Sequence, residues 1–136
     1  MADISVTAAS VAPGANCQTA SGTAGATITA GQVLYVDTAD SNKLKLADAD
    51  LSSLGATIAG ISLHGASSGQ PITYATAGAV TFNAVLTASK AYILSATAGG
   101  IAPIADHTTG WRMSVLGVAL TTTSLRLLIY NSDTVP

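Results

Sequence analysis

QVLYVD at residues 32–37, the turn Asp40-Ser41-Asn42, and KLKLA at residues 43–47 decide how this chain is read. The second run alternates strictly, with Leu44 and Leu46 on one side and Lys43 and Lys45 on the other, the two-residue period of a half-buried strand. Asp, Ser and Asn satisfy their own backbone in turns. The three pieces together spell a β-hairpin with one wet face. AYILS (91–95), Ala98-Gly99-Gly100 and IAPIA (101–105) repeat the arrangement, with Gly-Gly able to take the positive φ that tight hairpins require.

Working outward, further short apolar runs bounded by Gly, Asn, Asp or Ser lie at 58–64, 71–76, 80–86, 112–120 and 125–130. About nine short strands follow, enough for a compact all-β domain, a β-barrel or β-sandwich. The acidic residues number seven and all are Asp, so Glu, the better helix former, is missing. The one helical candidate is a turn or two over Ala47–Leu54, capped by Asp48 or Asp50. Residues 29–48 align without gaps on residues 87–106, and Gly60-Ile61-Ser62-Leu63 aligns on Gly117-Val118-Ala119-Leu120. A duplicated four-strand unit would leave such a pattern, although Ala and Thr are common enough here for chance to supply some of the matches. Residues 1–28 hold only Ile4, Val6, Val11 and Ile28 as sizeable apolar anchors, too few to order a segment alone, so they are read as an extended N-terminal arm and residues 29–136 as the body.

Composition removes several functions. The chain is 49% hydrophobic, 9% charged and carries a net charge of -2, the opposite of a disordered segment. Lys43, Lys45, Lys90, Arg112 and Arg126 are scattered, so no basic stripe for nucleic acid is expected. No apolar run reaches the roughly 18–20 residues that span a bilayer, and the first residues lack a basic region followed by an apolar core, so no membrane partner is expected and synthesis is placed in the cytoplasm. Cys17 is alone, which leaves no intrachain disulfide. Neither His64 in LHGASSGQ nor His107 in ADHTTGW stands by a nucleophile motif. Asp37, Asp40 and Asn42 fit a hairpin turn better than a calcium loop, which needs a Gly and a bidentate Glu. Asp48 and Asp50 lie two apart with no Glu to act as an acid, a poor glycosidase pair. No catalytic residue, metal ligand or cofactor site is therefore assigned, and a binding or structural role leads over an enzymatic one.

The order ITAGQVLYVD, KLKLADAD, AGISLHGASSGQPITYATAGAVTF, LTASKAYILSATAGGIAPIAD and a closing LGVAL…LRLLIY, from about Ile28 to Tyr130, resembles the capsid cement, or head decoration, proteins of tailed bacteriophages. The resemblance implies a β-barrel-like body, often trimeric, on the outside of the icosahedral shell, with the major capsid protein and its own copies as partners. It carries over no catalytic motif and no individual contact residue. On this reading the arm is the first candidate for capsid or subunit contact, with Ile4, Val6, Val11 and Ile28 as anchors. The alternative is a receptor- or glycan-binding module of a virion spike or fibre, for which the loop Asp106–Trp111 is the one aromatic candidate.

Overall fold

Both hairpins form where their turn residues dictate in a computed structural model, which describes residues 4, 6–14, 16–49, 57–95, 97–106 and 114–131. Among the described residues there are ten strands: β1 (Ala12–Pro13), β2 (Gln18–Thr23), β3 (Val33–Asp37), β4 (Lys43–Leu46), β5 (Gly60–Ser62), β6 (Pro71–Thr81), β7 (Ala91–Leu94), β8 (Ile101–Pro103), β9 (Ser114–Ala119) and β10 (Ser124–Asn131). Short 3-10 turns occupy Ala8–Ser10 and Ile104–Asp106. Ser41 and Asn42 both take positive φ (55° and 59°) between β3 and β4, and the Lys43 N–H donates to the Asp40 carbonyl at 3.1 Å. Two consecutive left-handed residues twist the chain in the sense that matches paired strands. Gly99 (φ 73°) turns β7 into β8.

All pairing between strands is antiparallel, and the order β4-β3-β5-β6-β10-β9-β7-β8 reads alike from either end if the second half is numbered as a copy of the first. Hydrogen bonds repeat with it. The Gly31 N–H donates to the Ser62 carbonyl (2.9 Å), and the Ser62 N–H to the Gln32 carbonyl (2.9 Å). In the second half the Ser89 N–H donates to the Ala119 carbonyl (2.8 Å), and the Ala119 N–H to the Lys90 carbonyl (2.9 Å). Gly31 and Ser89 share the left-handed conformation, at φ 87° and 69°. Gly60 and Gly117, matched in the aligned sequence, share a steric role: a Cβ on Gly60 would strike the Ala75 carbonyl oxygen, and one on Gly117 the Arg126 carbonyl oxygen. The duplicated unit expected from the sequence is thus present in pairing, backbone conformation and close contacts.

The sheet curls into a half-barrel. One cluster (Ala24, Ile28, Leu34, Leu44, Ala66, Ile72) fills the curl of the first half, drawn round where Ala24 bridges Leu44. A larger one, including Val33, Tyr35, Ile61, Val80, Phe82, Tyr92, Leu94, Leu116 and Leu125, joins the halves.

Two expectations change. The runs 71–76 and 80–86 are not separate strands: residues 71–81 form the single strand β6, and Phe82–Leu86 leaves the sheet. Gly78 (φ 81°) bends the strand without ending it. The segment read as an extended arm, able to pair with a strand edge or fold onto a partner, pairs with a strand of its own body. β2 pairs with β6 from Gln18↔Ala77 to Thr23↔Pro71, β1 pairs with its far end, and Ile28 is 1% exposed in the first core cluster. The Ile4 N–H donates to the Ile101 carbonyl (2.9 Å) and the Thr7 N–H to Asn83 Oδ1 (2.8 Å), while Val6 and Val11 sit over Gly31 where a Cβ would stand. Counting apolar anchors underestimated this segment, because small residues hold a strand through backbone hydrogen bonds that side-chain bulk does not report. The helical candidate falls mainly outside the described residues, as do His107 and Trp111; Ala47 and Ala49, which are described, are buried and not helical.

Gly60→Ala and Gly117→Ala should each destabilise the fold by about 3 kcal/mol, the upper part of the range for overpacking, read as a lower urea midpoint at unchanged slope. Deleting residues 2–26 removes β1 and β2 and bares the β6 edge, so calorimetry of the truncated chain should show no cooperative transition near that of the full chain.

Candidate interaction face

β10 alternates between buried and exposed positions, Leu125 and Leu127 inward and Arg126, Leu128 and Tyr130 outward. The sequence LRLLIY supplies apolar residues to both faces, so the outer face cannot be purely polar. Leu128 is 51% exposed, Tyr130 64%, and Leu120, just beyond β9, 54%. Beside them lies a groove of about 470 Å3. Its floor is Ala77-Gly78-Ala79 of β6; Arg126 and Leu128 wall one side, Asn16 and Gln18 the other.

Gly78 in the groove floor lets the Asn16 backbone close onto β6. A Cβ there would strike the Asn16 carbonyl, and Asn16 itself is left-handed at φ 56°. Two residues in a conformation disfavoured for L side chains thus face each other, bend β6, and leave a shallow trough over its small residues. Arg126 has no ion pair: among the described residues every salt bridge lies in the β3–β4 hairpin. An exposed guanidinium flanked by leucines offers a planar donor set beside apolar area, a common composition at the centre of protein interfaces.

The other residues singled out in the sequence fall elsewhere. Ile4, Val6 and Val11 are partly buried against the larger core cluster and Ile28 is inside the smaller one, so in this fold they pack on their own chain. His64 is exposed at the end of β5, its Nε2 accepting the Thr73 N–H at 3.1 Å and its Nδ1 2.8 Å from the Gly65 carbonyl, which fixes a strand end. Cys17 is a half-buried free thiol. Asp37 and Asp40 face Lys45, whose Nζ is 2.8 Å from Asp37 Oδ2 and 3.0 Å from Asp40 Oδ2, and Asp37 Oδ1 accepts the Ala39 N–H at 3.0 Å. Their oxygens serve the hairpin. Asp48 is described and Asp50 is not, so that pair, like most of the Asp106–Trp111 loop, lies outside the described residues. The Arg126 face was written in the alternation of β10, but the groove needed Gly78 and Asn16 to meet across 62 residues of chain, which no local pattern reveals.

No family model matches the chain, and no curated protein matches it.

The hydrogen bond from Lys45 holds the Asp37 carboxyl below its ordinary value, and the same pairing holds the Lys45 ammonium above its own. A depressed carboxyl adds stability that is present above its unfolded pKa of about 3.9 and is lost as pH falls through the folded value. Stability of the wild type should therefore decline below about pH 4. Asp37→Asn should remove part of that decline, compared by thermal melts at pH 3 and pH 6, and equal pH slopes in the two proteins would refute the pairing.

Proposed function

We propose that this chain is a non-enzymatic structural protein of a tailed-phage head, which binds the outer surface of the capsid and stabilises the shell by bridging major capsid subunits as a homotrimer. The observation that supports it best is the Arg126–Leu128–Tyr130 face: solvent-exposed apolar area, a guanidinium with no ion pair among the described residues and a shallow groove, a surface suited to broad contact and not to enclosing a substrate. Lys43 is 3.9 Å from Asp40, and Lys45 is engaged by Asp37 and Asp40, so the cations gather into no stripe that phosphates would require.

Adhesion in many copies makes modest local affinity sufficient. A trimer that touches three lattice members converts its second and third contacts into intramolecular events, and whatever binds only the assembled shell adds its binding free energy to that shell's stability. The resemblance in sequence motifs and their order to cement proteins points the same way, as do the pairing and packing that leave β10's outer face uncovered.

The test uses phage heads stripped of this protein. Wild-type chain should coat them and raise the temperature at which they rupture. Arg126→Glu combined with Leu128→Asp, both at exposed positions, should lower coverage at a fixed concentration by about tenfold, equivalent to roughly 1.4 kcal/mol. Wild-type protein that leaves the heads bare, or rupture temperatures that coating does not move, would end this reading.

A further inference from the structure

The duplicated architecture contains one contact that is made once when the pattern provides for two. In the first half, the cleft between β3 and the end of β4 receives the β7–β8 turn. The Val33 N–H donates to the Gly99 carbonyl (3.0 Å), the Gly99 N–H donates to the Ala47 carbonyl (2.7 Å), and a Cβ on Gly99 would lie 3.1 Å from Gln32 Cβ and 3.2 Å from Leu46 Cδ2. Gly99 is buried there. Gln32, Val33, Leu46 and Ala47 correspond, 58 positions on, to Lys90, Ala91, Ile104 and Ala105. Those four line a cleft of about 240 Å3 in the second half, and Ile104 at its rim is 42% exposed.

The turn that would match Gly99 is the one at Ser41, 58 positions earlier and likewise left-handed. Ser41 is exposed, and among the described residues no backbone hydrogen bond joins it to Lys90, Ala91, Ile104 or Ala105. One turn and one cleft of the duplicated set are thus left over on each molecule. We infer that the β3–β4 turn of one copy seats in the Lys90–Ile104 cleft of the next.

Chemistry favours this occupant. Asp40 precedes the turn with its side chain 45% exposed, and Lys90 at the cleft is exposed with no carboxylate partner among the described residues. The backbone geometry needed is one this chain already makes internally. Because the donating turn and the receiving cleft are different surfaces, the contact is head-to-tail and closes into a ring at a suitable rotation. It supplies an interface for the self-association proposed above and does not depend on shell binding.

Engineered disulfides test it directly. In a Cys17→Ser background, Ser41→Cys and Lys90→Cys are prepared as separate full-length proteins; the internal counterpart positions stand 3.1 Å apart, near the Cβ separation of about 3.8 Å in a disulfide. Oxidising an equimolar mixture should give a covalent heterodimer that neither protein gives alone, and the double variant should give a ladder ending in a closed ring. Ile104→Asp, at an exposed site, should lower the sedimentation coefficient to that of a monomer with an unchanged far-ultraviolet spectrum. Crosslinking no greater in the mixture than in either component, or an Ile104→Asp protein that sediments like wild type, would overturn the contact. Stripped heads that are coated by a protein showing no such crosslink would sink this interface alone, whereas crosslinked protein that fails to coat them would sink the capsid reading alone.

Discussion

Everything in this fold passes through β6. Residues 71–77 of that strand carry β2, and Tyr74 and Ala75 also carry β5; residues 78–81 carry β10, with β1 on the last two. The change of partners occurs at Gly78, where the backbone takes φ 81° against the Asn16 carbonyl. A side chain there would push the N-terminal segment away, and with it the strand that covers the first half. The groove beside Arg126 runs over the same Ala77-Gly78-Ala79 stretch, so the point where β6 changes partners also lies on the outer face.

Much of this was legible in the sequence. Strict alternation in KLKLA and turn chemistry at Asp40-Ser41-Asn42 and Ala98-Gly99-Gly100 specify hairpins locally, because the residues that set them are adjacent in the chain. The repeat was legible as well, weakly in identities and more firmly in what the matched residues do. Gly60 and Gly117 correspond because both approach a neighbour's carbonyl, a constraint that persists when the surrounding letters drift. What could not be read was non-local. QTASGT looks like linker, yet it is a strand because β6, some fifty residues later, offers it a ladder of backbone partners. Gly78 looks like a break and is a bend, since tertiary pairing on both sides carries the strand through it.

The economy of charge takes on a physical sense in this architecture. Two carboxylates and two ammonium groups meet at one hairpin, where Asp37, Asp40, Lys43 and Lys45 neutralise each other in solvent and keep an exposed turn from pairing indiscriminately. Among the described residues, Arg126 and Lys90 have no ion pair at the two places where apolar side chains reach the surface. Single cations set among leucine and isoleucine fix the orientation of a partner more than they strengthen its grip. A surface of this kind is selective when many copies act together and weak when one acts alone.

The position of β2 in the sheet also sets a timetable. During synthesis its residues leave the ribosome early, but the strand that must hold them is completed only at Thr81, and the strand that closes the second half only at Asn131. The early segment has to remain unpaired until then, and long-range antiparallel pairing of this kind is slow to form. Newly made chains therefore pass through an interval in which QTASGT and the bare side of β6 could each find the other on a neighbouring molecule. At high expression, exchange of β2 between copies is the characteristic error this topology invites.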